Sequence, residues 1–253
     1  MNTVPPTAAP GPVTGRIHSW DLSTGVDGPG TRFVLFTSGC PLRCLYCANP
    51  DTWHLRDGRV VTVDEVMAEI GRYRGFVSTA GGGVTLTGGE PLLQPAFSAA
   101  VLRRCKEAGL HTALDTSGFL GARASDALLA DTDLVLLDVK SFDVTTYREL
   151  TGGALAPTLN FATRLDRLGR RVWIRYVLVP GWTDDEDAVD GLAGFLSGLD
   201  CVERVDILPF HKLGAPKYDA LGIPFPLRET PVPDAALLDR VRDGFSRRGL
   251  VAH

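Results

Sequence analysis

No apolar run in this sequence of 253 residues approaches the roughly 18 residues that a bilayer-crossing helix needs. Runs such as Leu134–Leu137 and Tyr176–Val179 stop at four residues, so no membrane passage is expected. Positive charge is not in excess either. Lysine and arginine number 26 against 30 acidic residues, a net charge of −4, which removes the electrostatic case for a general nucleic-acid binder or a basic membrane-surface helix. Cysteine is sparse and odd in number, five in all, too few for a disulfide framework; clustered thiols then point to metal or catalysis in a reducing cytoplasm. The first fifteen residues, MNTVPPTAAPGPVTG, hold four prolines and no charge. They lack the apolar centre of a signal peptide, and a disordered tail over 1–15 is expected, followed by one domain over 16–253. Internal repeats, interdomain linkers and blocks of like charge are also missing.

What is present is an alternation of short β-branched runs with longer segments of helical period, the pattern of a parallel sheet with crossover helices. Six strands are predicted: Arg32–Thr37, Val84–Thr87, His111–Asp115, Leu134–Asp138, Val172–Val179 and Arg204–Leu208. Val63, Val66, Met67, Ile70 and Tyr73 share one helical face, and further helices are predicted from Pro95 to Gly109, then over Ser125–Ala130, Thr158–Leu168, Asp185–Leu199 and Asp234–Arg248. Six βα units fall two short of a closed barrel. The fold expected is α/β, a partial (β/α)6 TIM-like barrel, with reactive side chains on the loops after the C-terminal ends of the strands.

Those loops carry the chemistry. The first holds Cys40, Cys44 and Cys47 in C-x3-C-x2-C spacing. Three thiolates can ligate three irons of a four-iron cluster and leave the fourth open, whereas proteins that only carry electrons usually supply four cysteines. The alternative is structural zinc, with His54 or an acid completing the set. After the second strand, Gly88-Gly89-Glu90 combines a backbone open to close approach with a carboxylate able to receive an ammonium group. Asp115-Thr116-Ser117-Gly118 follows the third strand, Asp138-Val139-Lys140 the fourth, and Pro209-Phe210-His211 the sixth. Arg175 lies within the fifth, where a buried guanidinium needs an anion or a carboxylate.

With Tyr46 before the last cysteine, the cysteine loop resembles the hallmark of the radical S-adenosylmethionine superfamily. More of the sequence is similar to the pyruvate formate-lyase activating enzymes of that superfamily. The matching segments include Arg16-Ile17-His18-Ser19, Val26-Asp27-Gly28-Pro29-Gly30-Thr31-Arg32, Asp51-Thr52-Trp53, Gly81-Gly82-Gly83-Val84-Thr85, Thr87-Gly88-Gly89-Glu90, Leu114 to Phe119, Asp133 to Lys140, Val172 to Val177 and Val179-Pro180-Gly181-Trp182. The resemblance implies a [4Fe-4S] cluster on Cys40, Cys44 and Cys47 as the electron-transfer centre. It further implies S-adenosylmethionine held by the Gly88–Glu90 turn at its amine, by Asp138, Val139 and Lys140 near its carboxylate, and by His211 at the adenosine, with Tyr46, Cys47 and Ala48 flanking it. A monovalent cation on Asp115, Thr116 and Asp138 is also implied. The activity implied is reductive cleavage of S-adenosylmethionine to a 5′-deoxyadenosyl radical, which takes the α-hydrogen from one glycine of pyruvate formate-lyase. Asp27 and Arg175 are expected to hold that glycine loop, and a flavodoxin- or ferredoxin-type donor and a monomeric enzyme are expected.

One departure stands at Ala48, where the best-known relatives have histidine. Two other readings stay open: a radical enzyme acting on another glycyl radical protein or a small molecule, and a zinc-binding module without catalysis. The residues from Ala48 to Thr87 contain no cysteine, unlike the many activases of other glycyl radical enzymes that carry a cysteine-rich insert there. Cys105 and Cys201 read as packed thiols, and Trp53 and Trp182 as aromatics near the reactive rim.

Overall fold

The structure, a computed structural model, describes residues 11–253; the part of the expected tail over 1–10 lies outside the described residues. In chain order the elements begin with β1 (Thr14–Thr24), β2 (Thr31–Thr37), β3 (Arg59–Thr62), α1 (Val63–Thr79), β4 (Gly83–Gly88), α2 (Pro95–Glu107) and β5 (His111–Thr116). They continue with α3 (Asp126–Ala130), β6 (Leu134–Asp138), α4 (Val144–Thr151), α5 (Ala156–Arg167), β7 (Val172–Leu178), α6 (Glu186–Leu196), β8 (Val202–Pro209), α7 (Ala215–Leu221) and α8 (Ala235–Ser246). They form one eight-stranded sheet in the order β3-β1-β2-β4-β5-β6-β7-β8.

The six predicted strands are β2 and β4 through β8, parallel throughout. Apart from the edge strand β8, their residues are mostly buried on both faces, as parallel strands covered by helices must be. Val34, Val84, Leu86, Val135, Leu137 and Ile174 are all inaccessible. The outer layer is held by the apolar stripes of the crossover helices, such as Val66, Ile70 and Val77 of α1 and Phe97, Val101 and Leu102 of α2. Helix starts are fixed locally: Thr62 and Glu65 form a reciprocal capping box at α1, and Asp143, Asp185 and Asp234 each accept a backbone N–H at the first turn of α4, α6 and α8.

The sheet is open, and two strands were not foreseen. β1 runs antiparallel to β2 and carries an irregularity between Ile17 and Ser19; its residues are half exposed and mostly polar, so no period stands out. β3 is four residues long and pairs with Thr14–Ile17 on the outer side of β1. Because β1 starts at Thr14, the last two residues of the expected tail belong to the sheet. The opposite edge is covered in part by the C-terminal segment, where Val205 pairs with Ala252. α4 and α7, both of eight residues or fewer, were also missed. At the parallel rim the strands end on Thr37, Gly88, Thr116, Asp138, Leu178 and Pro209, which brings the predicted reactive loops to one side.

Candidate functional site

The cysteine loop is built from backbone bonds to two other segments. Gly39 N–H and Cys40 N–H donate to the carbonyls of Thr52 and Trp53 at 2.7 and 3.0 Å, and Arg43 and Leu45 donate to Thr151 and Leu150 at the end of α4. Tyr46 is buried beside Leu150, Val179 and Phe210. Cys40, Cys44 and Cys47 thereby open on a cavity of about 580 Å³ at the parallel rim. Burial pushes the thiols of Cys40 and Cys44 up to about 12 and about 11 and raises that of Cys47 as well. Thiols so placed ionise only when a cation compensates them, which is what metal ligation supplies. Among the described residues no three His, Cys, Asp or Glu side chains converge on a single-ion site. Three thiols on one loop that open on one cavity suit a cluster taking one iron per thiolate.

The two glycines after β4 serve chain packing. A Cβ on Gly88, whose φ is +108°, would stand 2.5 Å from the Thr37 nitrogen, and one on Gly89 would stand 2.3 Å from the Gly39 carbonyl. Gly89 and Glu90 donate back to Thr37 and Gly39, both at 2.8 Å, so the turn is docked on the cysteine loop. The Glu90 carboxylate is fully engaged. It accepts from the Thr116 and Ser117 hydroxyls at 2.6 Å each and from the Leu92 and Ser117 N–H groups at 3.1 Å. Burial raises its pKa against these four bonds. Glu90 thereby ties the loop after β4 to the loop after β5.

A chain of charges crosses the cavity wall from β5 to the end of β6. Arg175 donates to Asp115 at 2.9 Å and lies 4.0 Å from Asp138, while Lys140 donates to Asp138 at 2.7 Å. Thr87 donates to the same Asp115 oxygen at 2.7 Å. Burial opposes the charges of Lys140 and Arg175, but the carboxylates outweigh it and both pKa values rise. Asp115 is pushed up to about 6, first by burial, with Arg175 opposing. Two atoms in this chain have no partner: Asp115 Oδ1 and Arg175 Nε. Buried polar atoms are normally paired, so the wall is incomplete without a polar guest.

Of the expected residues, Cys40, Cys44, Tyr46, Cys47, Ala48, Gly88, Gly89, Glu90, Asp115, Thr116, Asp138, Lys140, Arg175 and His211 all line this one cavity. Val139 does not. Its side chain is in the core and its N–H donates to the Arg175 carbonyl, because it extends β6 by one residue. Asp27 does not line the cavity either; its carbonyl accepts from Thr85, while its neighbour Val26 reaches the wall. Val26, Leu42, Val177, Leu208 and Leu213 are lining residues that the sequence reading missed, since an apolar side chain carries no mark of which surface it faces.

The sequence profile of the radical SAM superfamily matches residues 34–192. The chain is 44% identical over 239 residues to the pyruvate formate-lyase 1-activating enzyme of Escherichia coli (strain K12), covering 94% of this chain and 97% of that one. It is 46% identical over 227 residues to the pyruvate formate-lyase-activating enzyme of Staphylococcus aureus (strain USA300), covering 87% and 90%. Among solved structures, a domain of pyruvate-formate lyase-activating enzyme from Bacteroides vulgatus superimposes with a TM-score of 0.58 at 28% identity, over 68% of this chain and 98% of that one. Streptococcus suis SuiB bound to precursor peptide SuiA reaches 0.66 at 16% identity, over 87% and 48%, a likeness of fold alone. The chain belongs to the radical SAM superfamily and, within it, to the family of pyruvate formate-lyase activating enzymes. Membership implies a [4Fe-4S] cluster and S-adenosylmethionine, and bears out the resemblance of the motifs.

Proposed function

We propose that this chain activates pyruvate formate-lyase by installing a radical on one of its glycines. The observation that carries the reading is the agreement of two independent facts. Identity to activating enzymes extends over 94% of the chain, and the three clustered thiols share one cavity with the Gly-Gly-Glu turn and the Asp115–Lys140 charge chain.

On this reading Cys40, Cys44 and Cys47 hold the cluster. S-adenosylmethionine lies along Tyr46 to Ala48, the Gly88–Glu90 turn, Asp138 to Lys140 and His211, with Val139 acting through backbone only. When bound, the cluster supplies one electron to S-adenosylmethionine, whose cleavage yields the 5′-deoxyadenosyl radical that removes a glycine α-hydrogen. The chain's own residues have three tasks. Leu42, Val177 and Leu208 line the cavity with apolar surface that keeps water out. Asp138 and Lys140 present an ion pair to an amino-acid headgroup. Arg175, anchored on Asp115 with its Nε 4.0 Å from Asp138, would offer its guanidinium to a backbone carbonyl of an incoming glycine loop, with Asp27 at the neighbouring hairpin. A glycine, having no Cβ, is the residue that such a narrow entry admits.

The same reading assigns Asp115 Oδ1, Asp138 and the Thr116 oxygen to a monovalent cation. It takes 16–253 as one catalytic domain and the active form as a monomer in the cytoplasm reduced by a flavodoxin- or ferredoxin-type donor. No helix among the described residues is long and apolar enough to cross a membrane. The test is an electron-spin spectrum of pyruvate formate-lyase after anaerobic incubation with the iron-loaded protein, a reductant and S-adenosylmethionine. A glycyl doublet is expected. Cleavage of S-adenosylmethionine with no radical on the partner would overturn the choice of substrate, and no cleavage at all would overturn the chemistry.

A further inference from the structure

The segment after β8 closes one side of the cavity. His211 and Leu213 line it from this segment, and Cys47, Ala48 and Asn49 line it from the cysteine loop. These two walls are far apart in sequence, so their spacing depends on the contacts that join them. Gly214 lays its backbone on the loop: a Cβ there would stand 2.9 Å from the Cys47 carbonyl oxygen and 3.1 Å from Ala48 Cα. Its φ of −76° and ψ of −18° suit any residue, so glycine is needed here for close approach alone. Three residues on, Lys217 of α7 donates to the Asn49 side-chain oxygen at 2.7 Å and lies 3.0 Å from the Asp51 carboxylate. Asp51 is in turn 3.2 Å from His18 of β1, so one carboxylate gathers α7 and an outer strand onto the cysteine loop. Tyr218, next in the helix, packs its ring edge-on against Trp53 at 5.7 Å and beside Phe225 at 4.9 Å.

We infer that Lys217 is a positioning residue for the cofactor: its tether to Asn49 and Asp51, with the Gly214 contact, fixes the width of the cavity between Ala48 and His211. The side chains of Lys217 and Asp51 are 38% and 25% exposed, and a pair so placed adds little to global stability. Tyr218 keeps the helix packed without it. What the tether supplies is direction, because its two acceptors flank Pro50 and belong to the same loop as Cys47. Lys217 touches neither cluster ligand nor cofactor, so its effect passes through the two walls. The inference rests on the placement of S-adenosylmethionine in the preceding section, with its adenosine end at His211.

The experiment compares wild type, Lys217→Met, Asp51→Ala, the double variant and Gly214→Ala, each reconstituted with iron and kept oxidised so that no electron is available for cleavage. Two quantities are read: equilibrium binding of S-adenosylmethionine and hydrogen exchange of the amides over 211–222. Lys217→Met should weaken binding by about three- to tenfold and speed exchange over 211–222, while its melting temperature stays within a few degrees of wild type. The double variant should bind no more weakly than Asp51→Ala alone, since both changes cut one link. Gly214→Ala should act in the same direction by wedging α7 off the Cys47 carbonyl; if it fails to fold, the cycle of Lys217 and Asp51 decides. Unchanged binding in Lys217→Met, or additive losses in the double variant, overturns the inference and leaves the cofactor placement standing. A wild-type protein that takes up iron yet binds no S-adenosylmethionine overturns the placement and the inference with it.

Discussion

Two buried arginines divide the molecule into its frame and its site. Arg32 on β2 is 0% exposed, and each of its five N–H groups has a partner among neutral acceptors. Nε donates to Thr85 at 2.5 Å, one terminal nitrogen to Val84 at 2.5 Å and His111 at 3.3 Å, and the other to Pro29 and the His111 ring, both at 3.3 Å. Burial brings its pKa down to about 10, and it draws that of His111 down too, behind burial itself, which keeps the imidazole neutral and able to accept. Arg175 on β7 has a side chain 14% exposed, a hydrogen bond to Asp115 and an Nε that faces Asp138 at 4.0 Å without a hydrogen bond. The first guanidinium is saturated, and holds the hairpin between β1 and β2 against the starts of β4 and β5. The second has donor capacity left over at the wall of a cavity. Saturation is what a structural role requires; unused capacity marks a site for a guest.

The comparison breaks most easily at Arg32. Replacing it with leucine leaves the Val84 and His111 carbonyls and the Thr85 hydroxyl buried without their donor, and should cost roughly 3–5 kcal/mol in urea unfolding, the range for breaking a buried charged network. A loss under about 1 kcal/mol would mean that the network contributes little. Arg175→Lys keeps the charge and removes the planar fork. Stability should change by about 1 kcal/mol, while the yield of glycyl radical per unit time falls by about tenfold or more, because a point charge cannot hold Asp115 and a second acceptor in one plane. Equal loss of stability and unchanged activity would reverse the assignment of roles.

The sequence made this division partly legible. The six parallel strands were readable because burial on both faces forces continuous apolar runs such as Leu134–Leu137, and the loops after them could be placed on one rim without knowing any contact. Arg175 was readable as a buried charge in search of a carboxylate. Arg32 was not, because a lone arginine at the start of a strand has the same local signature whether it points to solvent or inward. For a related reason the hydrogen bonds of Glu90 were not legible: only the fold brings Thr116 and Ser117 to it. β1, β3 and the short helices α4 and α7 escaped because their residues are polar or few, and α7 is the element that covers Cys47.

The carboxylate that anchors Arg175 supplies a proton-linked test. The Asp115 pKa is raised from 3.8 to about 6 in the folded protein, by burial first, so the folded state holds its proton more tightly than the unfolded chain. Its contribution to stability is complete below about pH 4 and is lost as pH rises through 6. The unfolding free energy of wild type should therefore fall relative to Asp115→Asn by roughly 2 kcal/mol between pH 4 and 7. A difference that stays flat, or rises, would show that Arg175 dominates burial at this position.

A third arginine sets the lower bound. Arg103 on α2 pairs with Glu107 at 3.3 Å with its side chain 68% exposed, and the basic residue precedes the acidic one, the weaker orientation at this spacing. Arg103→Ala should shift the unfolding free energy by no more than about 0.5 kcal/mol, with the shift shrinking further in high salt as the exposed charges are screened. A loss here comparable to that at Arg32 would mean that guanidinium contacts are worth the same wherever they lie. Burial would then no longer separate the staple at the hairpin from the open hand in the cavity.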